Sequence, residues 1–194
     1  EREIARHEPP FRPRQVLLFS GHMLDKPGRS APRFPPAQEA IAAQAIAAKL
    51  DELGAGPGDL ALCGGACGGD TLFAEACLAR GLQVQLHIQF PEPAFLAASV
   101  AFAGPKWVER YYQIKARAAV LVQPDELGPV PEGADPYERN NLWQLYTALS
   151  CGPERVRFIG LWDGQSGEGP GGTRHMVEIL ERVCDGKADL SEQA

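Results

Sequence analysis

The chain has 194 residues and a mass of 20.9 kDa, with 44% hydrophobic and 23% charged residues. That is the make-up of one globular domain and excludes a chain disordered throughout. The net charge of -6 and pI near 5.3 argue against broad nucleic-acid binding, which rests on basic patches, and no apolar run reaches membrane-span length.

Residues 1–14 (EREIARHEPPFRPR) are charged and broken by proline, and read as an arm or linker. The polar, Arg-rich start shows no secretory signal, so a cytoplasmic chain is expected, and a start at Glu1 reads as a piece excised from a longer protein. Residues 15–20 (QVLLFS) form a short apolar run ending at Gly21, which predicts a buried strand. Residues 22–36 carry four prolines and are predicted as loop. Ala42, Ile46, Leu50 and Leu53 recur at helical spacing over 37–53, and Gly54 stops that helix. DLALC (59–63) is the second strand and GGACGG (64–69) a glycine loop. A helix then opens at Asp70 or Thr71 and runs to Arg80.

QVQLHIQF (83–90) alternates like a strand, and helices are predicted over 94–103 and 105–117. AAVLV (118–122) reads as a buried strand and 123–136 as an acidic, proline-rich loop. Residues 138–150 form a helix, 156–162 (VRFIGLW) a fifth strand, 163–172 a second glycine loop and 173–184 the last helix. Residues 185–194 read as a tail. Strands alternating with helices predict an α/β fold. The expectation is a single Rossmann-like doubly wound domain over 15–184, with a parallel sheet of about five strands. Ligands of such sheets bind beyond the carboxyl ends of the strands, at the point where strand order reverses. The loops after strands one, two and five all lie on that edge.

The five cysteines, Cys63, Cys67, Cys77, Cys151 and Cys184, have neither disulfide-framework nor zinc-site spacing, so reduced thiols and no metal are expected. The segment CGGACGGDTLFAEA (63–76) is strand, glycine loop and helix in succession. Gly64, Gly65, Gly68 and Gly69 would let the backbone approach a ligand and aim several N–H groups at one anion at a helix start. On that reading a phosphate sits over residues 64–70, while Asp70 either caps the helix or contacts the ligand. The loop lacks the lysine of a Walker motif, and Ala66 stands where a dinucleotide fingerprint has its second glycine.

At the end of the first strand, Ser20 and Gly21 are placed to meet a phosphate or ribose, and His22, Lys26, Arg29 and Arg33 make the adjoining loop cationic. His87, mid-strand, reads as structural. Arg139, Asn140 and Asn141 can read a base or phosphate, or can serve as helix-start and surface residues. Asp163 ends the fifth strand and can bind ribose hydroxyls or cap a turn. Gly171, Gly172 and Thr173 repeat the glycine-then-helix logic as a second anion site.

The stretch CGGACGGDTLFAEACLARG, after a first strand ending SGH, resembles the SLOG superfamily of Rossmann-like domains, which includes the Smf (DNA-processing protein A) family and the LONELY GUY phosphoribohydrolases. Ala66, Gly69, Asp70 and the helix through Gly81 match the Smf-like pattern in kind. PGGTRHMVE (170–178) is similar to the LONELY GUY pattern Pro-Gly-Gly-x-Gly-Thr-x-x-Glu. Pro170, Gly171, Gly172 and Glu178 match it, whereas Arg174 and His175 replace its Gly-Thr pair. The resemblance covers roughly 15–184 and implies binding or sensing of a nucleotide or nucleotide-derived small molecule by a module of a signalling protein. A fused effector or TPR-type module and a homo-oligomer are compatible with it, and it implies no cofactor. The alternative it carries is an N-glycosidase acting on nucleoside monophosphates, with Glu178 as its acid. DNA binding in the Smf manner is disfavoured by the acidic charge.

Overall fold

The computed structural model describes residues 11–165 and 171–184. Residues 1–10 of the expected arm, the expected tail over 185–194 and Pro170 lie outside them. Five strands form one sheet: β1 (Val16–Gly21), β2 (Leu60–Cys63), β3 (Gln83–Ile88), β4 (Ala119–Val122) and β5 (Val156–Leu161). The helices are α1 (Glu39–Glu52), α2 (Gly69–Ala79), α3 (Glu92–Ser99), α4 (Pro105–Lys115), α5 (Gln123–Leu127), α6 (Pro136–Ser150) and α7 (Thr173–Cys184). The strand order is β4-β3-β2-β1-β5 and every pairing is parallel. The chain winds outward from β1 to β4, then returns to the far side of β1 to lay down β5. The reversal therefore falls between β1 and β5.

Side chains alternate across a strand, so β1 feeds both faces of the sheet. Leu17 and Phe19 join a core with Ile46 and Leu50 of α1, Phe73 and Cys77 of α2, and Trp107, Tyr111 and Ile114 of α4. Val16 and Leu18 point the other way, onto Leu145 and Ala148 of α6 and Met176 and Ile179 of α7. This two-sided wrapping is the doubly wound α/β fold. Phe19 and Phe73 stack at 4.5 Å between ring centroids and fix α2 over the end of β1. Among the described residues no helix is long and apolar enough to cross a membrane.

Three local readings change. Arg14, expected in the arm, belongs to the domain: its guanidinium grips the buried Asp59 carboxylate through two 2.9 Å hydrogen bonds. β4, read as buried, is a half-exposed strand at the sheet edge. Residues 123–127, read as loop, form the short helix α5, with Pro124 in its first turn and Asp125 and Glu126 favouring its positive end.

Candidate functional site

A cleft of about 410 Å³ opens at the carboxyl edge of the sheet, above the reversal between β1 and β5. This is within the size range of small-molecule sites. Its first wall is the proline-rich loop after β1, which is tied down rather than loose. Met23 and Gly68 form an antiparallel bridge, Leu24 N–H donates to the Cys67 carbonyl at 3.3 Å, and Gly69 N–H donates to the His22 carbonyl at 3.0 Å. The Asp25 carboxylate accepts from the backbone N–H groups of Arg33 and Phe34 at 2.9 and 3.0 Å. Leu24 and Phe34 are buried beneath. The loop thereby presents His22, Lys26, Arg29 and Arg33 to the cleft.

At the rim Arg33 Nη2 lies 3.1 Å from His22 Nδ1, and Arg33 Nε lies 3.5 Å from Asp163 Oδ2. His22 Nε2 is 3.2 Å from Asp163 Oδ1. Burial holds His22 below its ordinary value, and the Arg33 charge adds to this against the opposing pull of Asp163. Both effects favour the neutral imidazole, the form that can accept from the guanidinium.

The glycine loop differs most from expectation, because the protein itself consumes its donors. Ala66 N–H donates to Asp70 Oδ2 at 3.2 Å, Gly64 N–H also bonds the Asp70 carboxylate, and Cys67 N–H donates to the Ser99 carbonyl at 2.9 Å. With Gly69 N–H on His22, the expected phosphate over residues 64–70 finds these four donors taken. The glycines serve close packing. A Cβ on Gly68, where φ is +101°, would stand 2.7 Å from Leu24 N and 2.8 Å from the His22 carbonyl oxygen. Asp70 does not cap α2, whose N-cap is Gly68. It is a buried carboxyl that closes the loop, and burial raises its pKa to about 7 against those backbone hydrogen bonds.

The third wall comes from α6 and the start of α7. Asn140 Nδ2 donates to the His87 carbonyl at 2.8 Å, so this amide tethers α6 to β3. Asn141 Nδ2 donates to the Gly171 carbonyl at 2.8 Å and ties α6 to the start of α7. Gly171 must be glycine: φ is +74° and a Cβ would overlap Tyr137. Gly172 has open space in the same test. Ser20 Oγ donates to Thr173 Oγ1 at 3.3 Å and joins the tip of β1 to the first turn of α7.

Of the residues expected from sequence, the cleft brings together Ser20, Gly21, His22, Arg33, Gly64, Asp70, Asn140, Gly171, Gly172 and Thr173. Gly65, Gly68 and Gly69 lie behind it, and Asp163 reaches it only through its contacts with His22 and Arg33. Glu178 is away from the cleft, on the exposed side of α7, with Arg174 Nε at 2.5 Å. Sequence reasoning missed Gln89, Ser99 and Gln144, all buried in the lining. Gln144 was within reach: it follows Asn140 and Asn141 at helical spacing, a polar stripe on an otherwise core-facing helix. Among the described residues no cluster of His, Cys, Asp and Glu is arranged to hold a metal ion. Comparison of the chain with protein-family models returns no match, and comparison with curated proteins returns none either.

Proposed function

We propose that the cleft binds a nucleotide or nucleotide-derived anion and that the domain acts as a binding or sensing module. The observation that carries the reading is the division of polarity within one cleft at the strand-order reversal. Its mouth holds Lys26, Arg29, Arg33 and the first turn of α7, and its interior holds Asp70, Gln89, Asn141 and Gln144. A guanidinium and a helix N-terminus suit a phosphate, while buried amides and a carboxyl suit a base or ribose. The likeness of residues 63–81 and 170–178 to SLOG domains supports the same ligand class. The anion is placed at Arg33 and the start of α7 rather than over the glycine loop.

The glycosidase alternative needs a carboxylate beside the ribose. Glu178, the acid that alternative names, pairs with Arg174 outside the cleft, so the alternative is not supported in that form. Native mass spectrometry of the purified chain tests the proposal: a bound species of nucleotide mass supports it. An apo mass, together with no uptake of added AMP, GMP, CMP or UMP, refutes it.

A further inference from the structure

Asp70 and Gln144 flank the end of β2 from opposite faces of the sheet, Asp70 on α2 and Gln144 on α6. They are 8% and 3% exposed and both line the cleft. Both approach Gly64: a Cβ there would stand 2.9 Å from Asp70 Oδ2 and 3.9 Å from Gln144 Nε2. Gln144 sits one helical turn beyond Asn140 and Asn141, deeper along α6 than Tyr137 at its start. Its Oε1 is buried and has no hydrogen-bond partner among the described residues. Buried acceptors are normally paired; among the described residues the other buried groups without a hydrogen bond are Arg33 Nε, also in the cleft lining, and atoms of His87, Gln123 and Tyr146, which lie away from it. The inner part of the cleft thus holds one unpaired amide oxygen beside a carboxyl, and its mouth holds cations.

We propose that this inner part reads an amino group on the base, so that the cleft prefers nucleotides whose base carries an exocyclic amine. The inference rests on the nucleotide reading above. It orients the ligand with phosphate at Arg33 and the start of α7, and with its N–H donors turned inward to Gln144 Oε1 and Asp70. A site built to bond an N–H group rejects the analogue that lacks it, because its own buried acceptor is then left unpaired.

Titration calorimetry on the whole chain tests this with two pairs, AMP against purine riboside 5′-monophosphate and GMP against IMP. The second member of each pair lacks only the amine. In at least one pair the amino nucleotide should bind about tenfold tighter, and Gln144→Leu should erase that preference. A preference below about threefold in both pairs overturns the inference while leaving nucleotide binding intact. A preference that survives Gln144→Leu overturns the assignment to this residue. Should that variant fail to fold, the wild-type comparison decides alone. No binding of any of the four overturns this inference, and the nucleotide reading falls with it only when CMP and UMP also fail to bind.

Discussion

Asp70 is a carboxyl enclosed by protein, with burial raising its pKa from 3.8 to about 7. The unfolded chain ionises this group near its ordinary value, whereas the folded chain resists doing so until near neutral pH. A raised folded pKa contributes stability that is complete below the unfolded value and is lost as pH rises through the folded value. The shift is about three pKa units, so ionisation costs the fold about 4 kcal/mol at most by pH 8. Asp70→Asn keeps an oxygen to accept from Ala66 and Gly64 and removes the charge. The variant should therefore melt higher than wild type at pH 8, by as much as roughly 8–16 °C for a chain of this size. The gap should close as pH falls towards 4. Melting curves followed by circular dichroism from pH 4 to 8 measure it, and taking the difference between the two proteins cancels every other titrating group. A constant gap across that range, or a variant less stable at pH 8, would refute the buried-carboxyl reasoning.

Gly68→Ala places a methyl group against backbone at positive φ and should cost roughly 2–4 kcal/mol. Gly172→Ala, in open space, should cost less than about 1 kcal/mol in the same urea titration. His87, buried against Trp143 at 4.2 Å, has its pKa lowered by burial to about 4. A depressed histidine contributes stability that is complete above about 6.5 and is lost as pH falls towards 4, so His87→Phe should flatten the acid side of the stability curve. Incubation with AMP, GMP, CMP and UMP should release no free base by chromatography; release in molar excess over protein would establish turnover and restore the glycosidase alternative.

The fold was legible because parallel strands covered on both faces are short apolar runs, and VLLF and LALC are such runs. AVLV of β4 has the same composition at a half-covered edge, and four residues hold no period that separates the two cases. Helix α5 escaped for the same reason, five residues being too short to show a periodic face. The place of the cleft followed from loop positions alone, since a strand-order reversal puts the loops after β1 and β5 side by side. Its chemistry was less legible. Gly64, Gly65, Gly68 and Gly69 have the spacing of an anion-binding loop, and the same spacing serves a loop packed under His22 and Leu24 and closed by Asp70. Which of these holds depends on tertiary neighbours that no local pattern encodes. Gln144 extends the polar stripe of Asn140 and Asn141, but the stripe alone does not show that Gly64, after β2, lies beside it.

The most direct test of the account is a nucleotide titration of wild type beside Arg33→Ala, read by native mass spectrometry with AMP, GMP, CMP and UMP. Arg33 lines the mouth of the cleft and its guanidinium is shared between His22 and Asp163. The account predicts a one-to-one complex with at least one of these nucleotides, weakened by about tenfold or more in Arg33→Ala through loss of a charged contact. Absence of any complex with wild type, or equal affinity in the two proteins, would contradict it.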